Sequence, residues 1–373
     1  MKKIIALLLV AVMCLAVVGC DSGSTPQTPN DTTNSGNQNV GGNKPSQGGD
    51  NFTSPNASEG LEMDYRGSYY IVKNIGTCSD TDIVIPEYYE GKPVTSIGDY
   101  SFANEKITSV TIPASVTKIG EAAFSGCNKL ESITFSDGLT EIGISAFANC
   151  EKLTKIEFPN TLKKINEKAF SYCSALSSVE FPSGLEIISV RAFECCTSLT
   201  SVSVPNGARL NTGVFYGCEN LTTVNIPSSF EWLSKQVFAG CAFTSIVIPN
   251  TITEIGELSF AGTKLTSITI PDSVECIQTK AFRGCEGLTN VYIPDSVTII
   301  NQEVFADCKN LEKVSLPNTL DSIPLNIFDG CGNLKEVEFR GTKEDWEYVI
   351  QYHGNPSVPT IVVHCTDGDI TVD

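Results

Sequence analysis

The chain has 373 residues, with 43 acidic against 25 basic side chains, a formal net charge of -18, 15 cysteines and two histidines. That charge argues against nucleic-acid binding, which needs a basic footprint to displace counterions, and against simple adsorption to an anionic membrane or polyanionic glycan. With only His353 and His364 available, Cys/His zinc sites and Ser–His or Cys–His catalytic pairs are hard to build.

The first element is an export signal. Lys2 and Lys3 precede the apolar run Ile4 to Val18, whose 15 residues are short for a bilayer span. Its end, Val17-Val18-Gly19-Cys20, resembles the lipobox of bacterial lipoproteins. The resemblance implies removal of residues 1–19 and lipid attachment at Cys20, anchoring the protein outside the cytoplasm. Residues 21–60 are rich in Ser, Thr, Asn, Gly and Pro and hold only Val40, Phe52 and Ala57 as apolar side chains. Such a segment cannot bury enough surface to offset its chain entropy, so 20–60 reads as a lipidated cysteine on a disordered tether with a reach of about 35 Å.

From residue 83 onward the sequence repeats. Phenylalanine falls at 102, 124, 147, 170, 193, 215, 238, 260, 282, 305 and 328, at intervals of 22 or 23. Five residues before each stands Ile or Leu, and three before that another apolar residue, a column that only Gly207 breaks. After each Phe comes a Leu or its equivalent, then an alternating β-branched run ending in Pro. "LTSITIP" (265–271) and "LTNVYIP" (288–294) read as strands that the proline stops. A second short extended segment follows the turn. The expected fold is a β-rich, right-handed leucine-rich-repeat solenoid, one coil per 22–23 residues, with parallel strands stacked about 4.8 Å apart. The coil holding "PNGARLNTGVF" loses a residue between Pro205 and Phe215 and is expected to be the least regular.

The unit "IPASVTKIGEAAFSGCNKLESITF" (112–135) resembles the BspA-type leucine-rich repeat proteins. "DIVIPEYYEGKPVTSIGDYSF" (82–102) is similar to their N-terminal unit and "FRGTKEDWEYVI" (339–350) to their closing unit, where Thr342 can cap a helix with Trp346, Val349 and Ile350 on one face. The resemblance implies an N-terminal capping unit at 61–101, the repeat solenoid at 102–338 and a C-terminal capping unit with a tail at 339–373. For function it implies a non-enzymatic surface protein that adheres to host or neighbouring-cell proteins. The terminal "CTDGDITVD" lacks calcium-loop spacing and reads as an exposed tail.

Nine cysteines stand three residues after a repeat Phe: 127, 150, 173, 196, 218, 241, 285, 308 and 331. One equivalent spot per coil suits a ladder of small buried thiols. Nine is odd, and stacked parallel side chains make poor disulfide geometry. Cys78, Cys195, Cys276 and Cys365 lie off the column, and no cofactor or metal is implied.

No nucleophile elbow, phosphate-binding loop or zincin helix is present. The remaining candidate is surface. The outward residues of successive strands include Thr134, Glu157, Glu180, Asn225, Val247, Thr269 and Tyr292, flanked by a column rich in Ser and Thr. A hydroxyl-rich face can hydrogen-bond an extended polymer, and Tyr292 can stack on a sugar or fill a pocket on a protein. The leading expectation is an extracellular protein ligand. A polysaccharide-binding module and a structural envelope spacer stand as alternatives.

Overall fold

Inward apolar residues stack on their own equivalents one coil away. In the longer strands, Val110 pairs with Ile133, Ile156 with Val179 and Val202 with Val224, all parallel. In the two-residue strands, Ile119, Ile142, Ile165, Ile188 and Leu210 form one in-register file. The computed structural model describes residues 52–324, 326–353 and 361–372; the signal segment, Cys20 and the tether through residue 51 lie outside them. Alternation puts one side chain of each pair inside and the next outside, so each coil closes around a continuous apolar core.

The longer strands do not form one sheet. Asp82–Val84, Ser109–Ile112 and Ser132–Phe135 make a three-stranded sheet; Lys155–Glu157, Ser178–Glu180, Ser201–Ser203 and Thr223–Asn225 make a second. Pairing resumes only at Asn290–Tyr292. The run 265–271, expected as a strand, is not one. Thr266 N still donates to Thr244 O at 2.9 Å, but the ladder lapses over both coils. Each carries a one-residue deletion between Phe and the next core residue, "FAGCAF" and "FAGTKL". The single deletion in "FANEKI" is absorbed, since Ser109–Ile112 stays paired on both sides.

The third side of each coil is the Phe corner. All eleven rings are buried and stack on their neighbours, at 5.0 Å and 1° between Phe102 and Phe124. Spacing widens to 6.0 Å at Phe193–Phe215 and 6.1 Å at Phe215–Phe238, then returns to 5.4 Å at Phe260–Phe282. Two residues before and two after every Phe, the backbone turns left-handed, as at Ala122 (φ 48°) and Gly126 (φ 73°). Glycine or asparagine suits the second of these positions, which explains the Gly or Asn before most column cysteines. Alternate N–H groups of the corner donate up the stack: Ala122 to Ile144, Phe124 to Ala146 and Gly126 to Ala148. The corner is thus a hydrogen-bonded ladder of its own.

Both ends are closed by antiparallel hairpins. Glu62–Tyr65 pairs with Tyr70–Asn74, which enters the short-strand ladder beside Lys92–Ile97. The tether boundary at residue 60 moves: Ser54 N bonds Tyr88 O, Ser58 N bonds Val84 O at 2.9 Å each, and Gly91 N bonds Phe52 O at 2.7 Å. Residues 52–60 therefore lie on the N-terminal unit, supplying backbone partners that their composition does not advertise. At the other end a helix, Lys343–His353, starts at Thr342, whose Oγ1 accepts from Asp345 N while Asp345 Oδ2 accepts from Thr342 N. It buries Trp346 against Phe339, ring centroids 5.3 Å apart, together with Val349. The expected exposed tail is a strand. Gly368–Val372 pairs antiparallel with Ile361–Cys365 and becomes the edge strand of that sheet.

Candidate functional site

The outward column begins as expected. Thr134, Glu157, Glu180 and Asn225 are exposed on the first two sheets, and Tyr292 on the third. Val247 and Thr269 are exposed on the unpaired stretch between them. Val247 is 83% exposed, an apolar side chain that the core does not use. Several members are engaged locally. Glu157 pairs with Lys155 of its own strand. The Asn225 side chain accepts from Val204 N at 2.8 Å and donates to Val204 O at 3.2 Å, standing in for a strand partner. One coil beyond Tyr292, the outward column stops being outward. Ser315 is 7% exposed because Arg340 donates to its Oγ at 2.8 Å and lies across the strand. The same guanidinium binds Ile293 O and Asp295 Oδ1, both at 2.6 Å, and sits 4.4 Å from the centre of the Tyr292 ring. Tyr292, 54% exposed, is held with one face against Arg340 and the rest of the ring in solvent.

A second feature falls in the coil expected to be the least regular. The short-strand ladder stops after Arg209–Leu210 and restarts at Trp232–Leu233 as a separate sheet. The cause is the one-residue deletion, now placed. Ala208 N bonds Pro205 O, as Leu185 N bonds Pro182 O and Phe230 N bonds Pro227 O, so Ala208 occupies the inward position. Gly207 is exposed at φ 89° and does not interrupt that column, a correction to the sequence alignment. The missing residue falls between Ala208 and Leu210. A shortened coil with a small inward side chain then faces a full-length coil with the bulky Phe230. The short strands Arg209–Leu210 and Trp232–Leu233 do not pair, although the longer strands of the same two coils do, and a cleft of about 470 Å³ opens between the short strands. Two hydroxyls bridge the lips: Ser234 Oγ donates to Leu210 O at 2.6 Å, and Ser229 Oγ accepts from Gly207 N at 3.3 Å. Trp232 stands at the edge, 57% exposed. The signals were in the sequence, a deletion beside a tryptophan at an outward position, but the depth of the opening depends on how the coils splay.

Residues 95–222, 206–263 and 253–348 match the BspA type leucine-rich repeat region, in six copies. The chain belongs to the BspA-type leucine-rich repeat family. No curated protein matches it. Solved structures similar to it include the pneumococcal vaccine antigen PcpA, at 22% identity and TM-score 0.55 over 82% of this chain and 98% of that one. A leucine-rich repeat protein from Bacteroides ovatus gives 23%, 0.53, 82% and 98%, and one from Eubacterium ventriosum 19%, 0.51, 83% and 86%, in the same order. At these identities the likeness establishes the solenoid fold. BspA-type membership places the chain among bacterial cell-surface repeat scaffolds whose work is protein interaction.

In this BspA-type chain all nine column cysteines are buried outside any disulfide. Each thiol donates to the carbonyl of the Phe in the preceding coil, from Cys127 to Phe102 O at 3.0 Å to Cys331 to Phe305 O at 3.0 Å. Burial pushes the Cys127, Cys173, Cys218 and Cys331 thiols up to about 12 and Cys285 to about 11. Thiolate is what attacks electrophiles and binds metals, so these groups are inert packing donors. Cys276 is buried, while Cys78, Cys195 and Cys365 are half-buried. Among the described residues no group of three or more His, Cys, Asp or Glu is placed to hold a metal ion.

Proposed function

We propose that this protein is an exported, lipid-anchored binding protein of adhesin type, held at the cell surface through Cys20, and that the outward strand column takes an extracellular protein of a host or neighbouring cell. The observation that carries this reading is the exposure of Val247 and Tyr292 within a column otherwise made of small hydroxyl, amide and acidic side chains. Neither serves the core. An aromatic and an aliphatic side chain surrounded by polar neighbours is the composition of an interface anchor with its rim. Tyr292 is also pre-set by Arg340, which lowers the ordering cost of binding. A repeated face adds contacts coil by coil, so weak contacts sum when the partner is extended or multivalent.

The test is binding of the full-length protein to a panel of immobilised extracellular-matrix proteins. Saturable binding that falls at least tenfold in the double variant Val247→Ser, Tyr292→Ala supports the proposal. Binding that is indifferent to that variant places the contact elsewhere. Anchoring has its own check. Cys20→Ser should abolish incorporation of radiolabelled palmitate and release the protein from the membrane fraction; retention with unchanged labelling would sink it.

A further inference from the structure

We infer that the cleft between the Arg209–Leu210 and Trp232–Leu233 strands is a glycan-binding site that seats a neutral pyranose ring on the indole of Trp232. It lies on the short-strand side of the coil, apart from the proposed protein-binding column. The first argument is the tryptophan. At the equivalent place other coils carry the charged Lys118, Glu141, Lys164, Arg209 and Glu254, or apolar residues that are half-buried (Ile187, Ile299) or buried (Cys276), so none leaves a large ring in water. Trp232 leaves more than half of its surface in solvent there, whereas the other described tryptophan, Trp346, is 2% exposed. The electron-rich face of an indole attracts the polarised C–H bonds on one face of a pyranose.

The second argument is the set of polar groups beside it. Arg209, Asn211 and Glu231 all line the cleft. None of the three makes a side-chain hydrogen bond or ion pair among the described residues, in a chain where many other lysines and arginines are paired. Together they offer donors and acceptors of both kinds with charges that cancel, which fits hydroxyl groups. A polyanion would meet the Glu231 carboxylate. Ser229 and Ser234, by contrast, are occupied in holding the two lips at a fixed separation.

The third argument is size. About 470 Å³ lies in the range of small-ligand pockets, whereas a folded protein partner buries about 800 Å² on each side and needs a broad face. The cleft therefore takes a short stretch of a chain rather than a globular surface, and a sugar chain matches its aromatic edge and hydroxyl-seeking walls.

The chain's two tryptophans make the test direct, because the buried one responds little to added ligand. The full-length protein is titrated with hexasaccharides of β-1,4-linked glucose, mannose and N-acetylglucosamine while tryptophan emission is followed, and binding is measured in parallel by calorimetry. A saturable blue shift with at least one of them is expected. Calorimetric binding should vanish in Trp232→Ala and weaken at least fivefold in Arg209→Ala, each variant keeping the wild-type circular dichroism. Unchanged emission with all three sugars overturns the inference. So does sugar binding that survives Trp232→Ala, or a Trp232 response confined to protein ligands. The readout at Trp232 is independent of the matrix-protein assay, so either proposal can fail alone.

Discussion

Phe147 O accepts two hydrogen bonds, from the Cys150 N–H of its own coil and from the Cys173 thiol of the next. The column cysteine is therefore a donor as well as a filler, and Cys173→Ala should cost about 1–2 kcal/mol, read from urea unfolding. The buried thiols also set a pH dependence. Their folded values of about 12 lie above the unfolded range near 8.5, so their stabilisation is whole below about pH 8.5 and is lost as pH rises toward 12. Each such thiol removes about 1.4 kcal/mol per pH unit in that window. The urea midpoint should drop sharply between pH 8.5 and 10.5, and an unchanged midpoint would refute the buried-thiol account. Ser259 argues the other way. Its hydroxyl is fully buried with no partner, where coils such as those of Phe124 and Phe147 carry Ala123 and Ala146. Ser259→Ala should stabilise by about 1 kcal/mol in the same assay.

At the scale of elements, two-residue strands pair across spacings of 22 residues, as Leu233 with Ile255, and of 23, as Ile277 with Ile300, and the short ladder breaks where a deletion falls beside the strand itself, between Ala208 and Leu210. The cleft tests this. Inserting one residue between Ala208 and Arg209 should restore the coil length and let Arg209–Leu210 pair with Trp232–Leu233. Hydrogen exchange at residues 209–211 and 231–234 should then slow and Trp232 emission move to the blue. Exchange unchanged by the insertion would mean that Ala208 and Phe230, not coil length, hold the cleft open. The unpaired stretch around Val247 and Thr269 follows from the same arithmetic, with two successive short coils where one alone is tolerated. Coil count, the Phe and Cys columns and the helix capped at Thr342 were legible because each rests on local spacing. The broken ladders were not, because splaying is a difference between neighbouring coils.

The molecule is held together by nearest-neighbour contacts, so its stability is close to a sum over coils and interfaces. Outside the last coil, where Phe305 and Phe328 stand 6.2 Å apart, the wide ring spacings of 5.9–6.1 Å, the broken short ladder and the lapsed long ladder all fall between Phe193 and Phe282. Unfolding should therefore depart from two-state behaviour, with native hydrogen exchange slowest in the coils around Phe147 and Phe170 and fastest near residues 205–250. Uniform protection along the stack would contradict this. Surface function follows the same division. The irregular middle carries Trp232 and Val247, two of the large apolar side chains most exposed to water, and the paired coil beyond it carries Tyr292.

The amino-acid sequence alone determined the repeat length, the side chains that point inward and the residue types that each corner tolerates, because all three follow from spacing within one coil. Only the tertiary structure decided where the chain departs from its own repeat: Arg340 laid over Ser315, residues 52–60 seated on the first unit, the last strand folded back on the sheet, and the cleft beside Trp232. Those outcomes depend on how each coil meets the next, and a mismatch of one residue acts there through the stacking geometry.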